Sequence, residues 1–294
     1  MDVSIIYVNY NSSKLIINSI NSVIELTNGI SYEIIVVDNN SKQEDKNKLK
    51  LYCTTKNIQL IESNTNLGFG KGNNLGTKYA TGEYLFFLNP DTYLLNNAIT
   101  KLFNFVKTHN ISTCGANLFS ADLKPTLSYW MLMPSITDEL SALCSNLPLK
   151  FKYNYSHEHN LTSTPKEVAF ITGADLMIHN NLFKKLNGFD KDFFMYFEET
   201  DLQYRAKKLG HKIYNLPSAK IVHLESQTLS SQTKKLQLFF ESRKLFYLKN
   251  RTKKQLQIAN LILKINSIIR ICIFYILQKK EKVNYWKTIL LQCS

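Results

Sequence analysis

Val3-Ser4-Ile5-Ile6-Tyr7-Val8-Asn9-Tyr10-Asn11-Ser12 opens as an apolar run and ends abruptly in polar residues. A short run of this kind reads as a strand buried on both faces, the signature of a parallel sheet covered by helices. The pattern returns at Glu33-Ile34-Ile35-Val36-Val37-Asp38-Asn39-Asn40-Ser41, at Ile58-Gln59-Leu60-Ile61-Glu62 and at Tyr84-Leu85-Phe86-Phe87-Leu88-Asn89-Pro90-Asp91. Helical segments stand between them. One runs from Leu15 to about Leu26 behind the cap candidates Ser12 and Ser13. A lysine-rich helix follows Ser41, and Asn66-Leu67-Gly68-Phe69-Gly70-Lys71-Gly72-Asn73-Asn74-Leu75-Gly76 is a glycine loop running into a third. Alternating strands and helices predict an α/β fold with a mostly parallel sheet and helices on both faces. Ligands of such sheets sit outside the carboxyl ends of the strands. Asn9-Tyr10, Asp38 and Asn89/Asp91 are therefore expected to share one site.

After about Ala98 we expect a helix and another strand. Phe119 to Pro165 is rich in Ser, Pro and Asn, with an aromatic patch at Tyr129-Trp130-Met131. We read His157 and His159, in that polar stretch, as solvated rather than as a metal pair. Val168 to Ile178 is strand-like but broken at Gly173-Ala174, where small residues let a ligand approach closely. Gly188 to Arg205 then brings aromatic residues straight into Glu198, Glu199 and Asp201. These acids suit a helix start. The helix would carry Leu202, Ala206 and Leu209 on one side and stop at Gly210. Two strand-like runs follow, Lys212 to Pro217 and Ala219 to Ser226, the second containing His223.

The 294 residues allow one large or two modest domains with a real core. The net charge of +13 favours anionic partners: sugar nucleotides, nucleic acid or acidic lipid headgroups. Cys53, Cys114, Cys144, Cys272 and Cys293 are odd in number and form no CxxC pair. They argue against a disulfide framework or a zinc site and fit a reducing compartment. No basic leader precedes Val3, so no signal peptide is expected. From about Lys234 basic residues interleave with apolar ones. The apolar run Leu261 to Leu277 holds Lys264, Asn266, Ser267 and Arg270 on one side of a helix turning about 100° per residue. A bilayer span needs about 20 mostly apolar residues and disfavours such charges. An interfacial helix on an anionic membrane surface is therefore expected, with packing on the protein's own core as the alternative.

Gly68-x-Gly70 after a strand, with Asp91 some way downstream, looks like a dinucleotide fingerprint. Its third glycine position holds Asn73, it follows the third strand rather than the first, and nothing supplies hydride chemistry. Asn89-Pro90-Asp91 offers oxygen ligands of the kind that suit Mg²⁺ or Mn²⁺. Asp38 can accept from a base ring N–H, and Tyr10 can stack on that base. Acids at successive strand ends speak against a nucleic-acid partner.

Taken in order, these blocks resemble the family 2 inverting glycosyltransferases with the GT-A fold, in the rhamnosyltransferase-like branch of bacterial surface-polysaccharide synthesis. The resemblance covers about residues 1–250 and rests on Val3 to Asn11, Val36 to Ser41, Asn66 to Asn74, Phe87 to Asp91, Thr172-Gly173-Ala174, Phe194 to Leu202 and His223. It implies a GT-A domain over 1–233, with a nucleotide-sugar half (1–97) and an acceptor and catalytic half (98–233). A basic amphipathic helical region would occupy 234–294. Tyr10, Asp38, Gly68, Asn73, Asn89 and Asp91 would hold the nucleotide sugar. Asp91 and His223 would hold Mg²⁺ or Mn²⁺, with Asn89 in the first position of the family's Asp-x-Asp-like motif. The family's Glu-Asp pair falls on Glu198-Glu199, which places the base at Glu199, a Glu where the family has Asp. Glu198 would orient the acceptor or anchor the helix. Gly173, Ala174 and Asp201 fall on the acceptor side, Asp201 in a structural role. The implied reaction takes a sugar, L-rhamnose from dTDP-rhamnose, to a lipid-linked saccharide at the cytoplasmic face of the membrane. A UDP- or GDP-hexose donor and a non-catalytic sugar-nucleotide-binding module are the alternatives.

Overall fold

The structure, a computed structural model, describes residues 1–224 and 232–292. Glu225 and Ser226 of the last strand-like run, and Cys293, lie outside the described residues. The elements are β1 (Val3–Asn9), α1 (Ser13–Leu26), β2 (Tyr32–Asp38), α2 (Gln43–Thr55), β3 (Gln59–Glu62), α3 (Phe69–Thr77), β4 (Tyr84–Leu88), β5 (Thr92–Leu94), α4 (Ala98–His109) and β6 (Thr113–Phe119). Then come β7 (Tyr129–Trp130), α5 (Ile136–Leu143), α6 (Leu147–Lys152), β8 (Lys166–Val168), β9 (Phe170–Ile171), β10 (Asp175–His179), α7 (Asn180–Lys185), α8 (Glu198–Lys208), β11 (Ile213–His223), α9 (Gln232–Asn250), α10 (Lys253–Ile276) and α11 (Lys280–Leu291).

The main sheet has the order β3-β2-β1-β4-β10-β6-β11-β5, with β8 also paired to β11. The expected parallel pairs β1–β2, β1–β4 and β2–β3 are present, and β6–β11 is parallel too. β10, β5 and β8 run antiparallel to their neighbours. β1 is buried throughout, and its residues alternate between two cores as the pleat requires. Ile5 and Tyr7, with Val36 and Phe86, pack on Ile16, Ile20, Leu102 and Val106 of α1 and α4. Ile6, Ile35 and Phe87 pack on Phe183, Phe189, Leu202 and Ala206 on the other face. Each such large side chain contributes about 1.5–3 kcal/mol by leaving water, and Phe87→Ala should cost about 3–5 kcal/mol. Lys212–Pro217 and Ala219–His223, read as two runs, form the single strand β11. Its register with β6 shifts between Leu216 and Lys220, where Pro217 cannot donate to the ladder.

Within the described residues the chain forms two compact units, Met1–Met131 with Ser156–Thr228 and Leu132–Tyr155 with Leu229–Ser294. The second is tied together by Arg243. Its guanidinium reaches Glu139 Oε1 at 2.6 and 3.0 Å and Asn260 Oδ1 at 2.8 Å. A capping box of Thr252 with Gln255 starts α10.

Two sequence expectations, about the polar stretch and the acidic helix of the first unit, need correction. His157 and His159 are buried, not solvated. His159 Nδ1 lies 3.1 Å from the Thr126 carbonyl and 3.2 Å from Ser128 Oγ, and burial lowers the pKa of its ring. Leu209 is exposed, because the helix ends before it. Gly210 does stop α8, at φ +85°. Gly210 N–H donates to Lys207 O and His211 N–H to Ala206 O, the two bonds of a Schellman cap.

Candidate active site

The carboxyl ends of β1, β2 and β4 lie along one edge of the sheet. There Asn9 is register partner to Asp38 and donates to its Oδ1 at 3.0 Å. Asp38 is fully buried. Its other oxygen accepts from the Ser41 N–H at 3.2 Å and faces Lys46 Nζ at 3.7 Å. Tyr10 follows immediately and is 41% exposed, leaving its ring open to a ligand.

The glycine loop closes over this edge from the side. Asn39, next to Asp38, accepts from the Leu67 N–H and donates to Asn66 Oδ1 and Gly68 O, so the end of β2 holds the loop. Gly68 has φ +80°, and a Cβ there would collide with the Phe194 carbonyl oxygen. That carbonyl accepts from the Phe69 N–H at 3.0 Å, so the loop leading to the acidic helix is stitched to the start of α3. A Cβ on Gly72 would stand 2.9 Å from a Val8 methyl, which explains how α3 lies so close to β1. Asn73 is buried and donates to Phe69 O within its own helix.

Asn89, Asp91 and His223 are brought together. β11 pairs antiparallel with β5, setting His223 opposite Thr92. His223 Nε2 then lies 3.4 Å from Asp91 Oδ1 and 3.4 Å from Asn89 Nδ2. Among the described residues no cluster of three or more His, Cys, Asp or Glu side chains converges. One carboxylate and one imidazole nevertheless fit a divalent ion that takes its remaining ligands from diphosphate oxygens and water, as Mg²⁺ commonly does. The Asn89 N–H donates to Ala174 O at 2.9 Å, joining this turn to the Gly173-Ala174 break.

Beyond that break stands α8. Tyr196 and Phe197 precede it at φ +68° and +65°. Two consecutive left-handed non-glycine residues store about 1–2 kcal/mol each. Such outliers cluster at functional sites. They turn the chain sharply into Glu198 and Glu199, whose surroundings differ. Glu198 is buried; its Cβ would lie 3.3 Å from a Cβ on Gly70, and its Oε2 has no hydrogen-bond partner among the described residues. Burial, then the neighbouring Glu199 charge, pushes its carboxyl well above the usual range. Glu199 is half-buried and lies across Gly173: a Cβ there would stand 3.6 Å from Glu199 Cγ. Burial raises its pKa also. Asp201 points elsewhere. Its Oδ2 accepts from Arg205 Nε at 2.7 Å, and Arg205 in turn donates to the Leu186 and Gly188 carbonyls.

Three contributors have no role assigned to them from the sequence, Gln203 and Asp175 outside the motif blocks and Asn39 within one. Gln203 is fully buried, accepts from Ile171 N–H and donates to Ile171 O, both at 2.8 Å, pinning α8 to β9. Its signal was a polar residue four positions after Glu199, on the side that buries Ala206. Asn39 was legible only as part of a polar strand end. Asp175, buried in β10, takes the Ala116 N–H and faces Thr172 Oγ1 at 3.4 Å; burial pushes its carboxyl well up. An acid inside an apolar strand gave no hint of that bracing role.

The profile of Glycosyl transferase family 2 matches residues 4–186. The chain is 27% identical over 253 residues to the low-salt glycan biosynthesis hexosyltransferase Agl10 of Haloferax volcanii, covering 85% of this chain and 76% of that one. It is 26% identical over 208 residues to the rhamnosyltransferase WbbL of Escherichia coli K12, covering 65% and 72% respectively. The crystal structure of GalNAc-T7 with UDP, GalNAc and Mn²⁺ superposes with a TM-score of 0.61 at 16% identity, over 84% of this chain and 47% of that one. The chain thus spans about half the length of GalNAc-T7, and the likeness is one of fold.

Proposed function

The chain belongs to glycosyl transferase family 2, and from that membership we propose that it moves L-rhamnose from dTDP-rhamnose, with inversion, to a hydroxyl of a lipid-linked saccharide. The setting is surface-polysaccharide or O-antigen synthesis, at the inner face of the membrane. The rhamnosyl- and hexosyltransferase names of its relatives support the sugar class, and a UDP- or GDP-hexose is the alternative donor.

One observation carries the mechanism: Glu199 and the Asn89–Asp91–His223 cluster approach the same Thr172–Ala174 segment, one over Gly173 and the other through Ala174 O. Tyr10 stacks on the base and Asp38 accepts from its ring N–H. Asp91 and His223 would hold Mg²⁺ or Mn²⁺, whose chemistry when bound is to neutralise charge on the diphosphate. Glu199 takes the proton of the acceptor hydroxyl as that oxygen attacks the anomeric carbon. The bond from that carbon to the diphosphate oxygen breaks, and its electron pair leaves with the nucleoside diphosphate. Burial and the neighbouring Glu199 charge both disfavour a charged Glu198.

The test is a panel of nucleotide sugars, each measured for protection against thermal unfolding and for consumption with a lipid-linked acceptor. A donor at 100 times its Kd should stabilise by about 2.7 kcal/mol. Protection and consumption with dTDP-rhamnose are expected. Protection by a UDP- or GDP-hexose alone would overturn the donor assignment, and binding without consumption would make the chain a non-catalytic module.

A further inference from the structure

α10 is apolar on its outer side as well as its inner one, where Leu256, Ala259 and Ile262 are buried. Leu261, Ile265, Ile268, Cys272 and Ile276 recur every three or four residues and are all exposed, with Tyr275 beside them 77% exposed. They form one stripe on the outward side of the helix. At mid-helix polar residues face inward as well. Asn266 and Ser267 are buried, and Arg270 donates to Ser145 Oγ at 2.7 Å with its guanidinium over the Trp286 ring. Only Lys264 of the four polar residues in this run is exposed. The expectation that all four share one side therefore needs correction. Arg270 bonds to Asn266 and to the 132–155 segment, and the Ser267 hydroxyl donates to Leu263 O within the helix. A helix on a soluble surface keeps charged and polar residues, not an apolar stripe, on its outer side.

The charge says what covers this stripe. Residues 229–294 hold 14 Lys and Arg against 2 Asp and Glu, so twelve of the thirteen net positive charges lie there. Lys253, Lys254 and Lys264 are exposed along α10, and Lys279 and Lys280 are exposed just beyond its end. An exposed apolar stripe edged by lysines matches the headgroup boundary of an anionic bilayer. We propose that α10 lies flat on such a surface with Leu261, Ile265, Ile268 and Ile276 inserted among the lipids. It lies there rather than crossing because its inner side is taken by polypeptide and carries Arg270 and Asn266 at mid-length. A second copy of the chain is a poorer occupant, since pairing two such faces would juxtapose two strongly positive regions. The docking explains access to a lipid-linked acceptor, and in that respect it rests on the proposed function. Binding itself is measured without any sugar, so the two can fail separately.

The test is co-sedimentation of the full chain with vesicles of phosphatidylcholine, alone or mixed with phosphatidylglycerol. We expect binding to the anionic vesicles, weaker by about tenfold or more on neutral ones and in high salt. Ile265→Ser with Ile268→Ser should abolish it while melting temperature and donor turnover stay unchanged, because both side chains face outward. Absence of binding to anionic vesicles, or binding indifferent to the double substitution, would overturn the proposal. So would a dimer that the same substitution dissociates, which would assign the stripe to a second copy.

Discussion

His223 Nε2 stands 3.4 Å from Asp91 Oδ1, although nearly half of the chain's length separates the two residues. The pairing of β11 with β5 makes the approach obligatory, because it sets His223 opposite Thr92, the neighbour of Asp91. Asp91→Ala should therefore leave the fold intact, since the backbone bond from Leu224 N–H to Asp91 O does not need the side chain. Losing one such electrostatic ligand typically costs about 10²–10³-fold in rate. We expect a turnover loss of that order for Asp91→Ala, a smaller one for His223→Ala, and loss of activity in excess EDTA that Mn²⁺ or Mg²⁺ restores. Full activity in EDTA would refute the metal assignment.

The parallel half was legible because its information is local. Val3–Val8, Ile34–Val37 and Leu85–Leu88 are short apolar runs ending in polar residues, and each is a buried strand at its expected place. What sequence did not reveal is tertiary. β10 carries the same apolar character as a parallel strand yet runs antiparallel between β4 and β6, since apolar content does not encode direction. The glycine loop was recognisable as a loop, but the collision that forbids a side chain at Gly68 involves Phe194, far along the chain. The partners of Asp201 and Gln203 were hidden for the same reason.

Gly68 and Gly173 should respond differently to the same added methyl group. At Gly68 alanine meets both a glycine-only backbone region, worth about 1–3 kcal/mol, and the Phe194 carbonyl. Gly68→Ala should lower the melting temperature clearly and depress transfer, because the displaced segment leads into Glu198 and Glu199. At Gly173 the nearest atoms, on Glu199 and Phe69, stand at ordinary contact distance. Gly173→Ala should melt like the parent and show its effect in acceptor KM. Equal destabilisation by both would contradict this packing.

Asp138 provides a pH test independent of catalysis. Burial first, then the Glu139 charge, pushes its carboxyl from 3.8 up to about 7, with Arg243 opposing. Between those values the folded protein keeps a proton that the unfolded chain has released. Stability is thus highest below that window and is lost as pH rises toward 7. One pKa unit is about 1.4 kcal/mol, and since Asp138 keeps partial solvent contact we expect a loss of about 1–2 kcal/mol in all. Thermal melting at pH 5 and pH 8 should show a larger drop for the parent than for Asp138→Asn. Parallel pH profiles would rule Asp138 out.

Glu198 and Glu199 are the sharpest discrimination available. Successive helix residues diverge by about 100°, so the two cannot serve the same hydroxyl. The structure sends Glu198 toward Gly70, into a buried space where its Oε2 meets no partner among the described residues, and Glu199 across Gly173 beside the break in the sheet. Burial disfavours charge on Glu198, and glutamine keeps its size without that charge, so Glu198→Gln should fold normally and lose little rate. Glu199→Gln keeps size but removes the basic carboxylate, and general base catalysis contributes about 10²–10⁴-fold. Single-turnover transfer should fall by that factor while donor affinity stays near the parent value. The pH profile adds a separate sign. Burial raises Glu199, so the acid limb of the parent rate should lie above the ordinary carboxylate value of 4.5, with activity lost as pH falls through it. That limb should vanish from the residual rate of Glu199→Gln and persist in Glu198→Gln. Asp201→Asn, which weakens the Arg205 brace, should lower the melting temperature more than it lowers the rate constant of the folded fraction. Near-parent transfer by Glu199→Gln, with Glu198→Gln or Asp201→Asn inactive though folded, would move the base to one of those carboxylates.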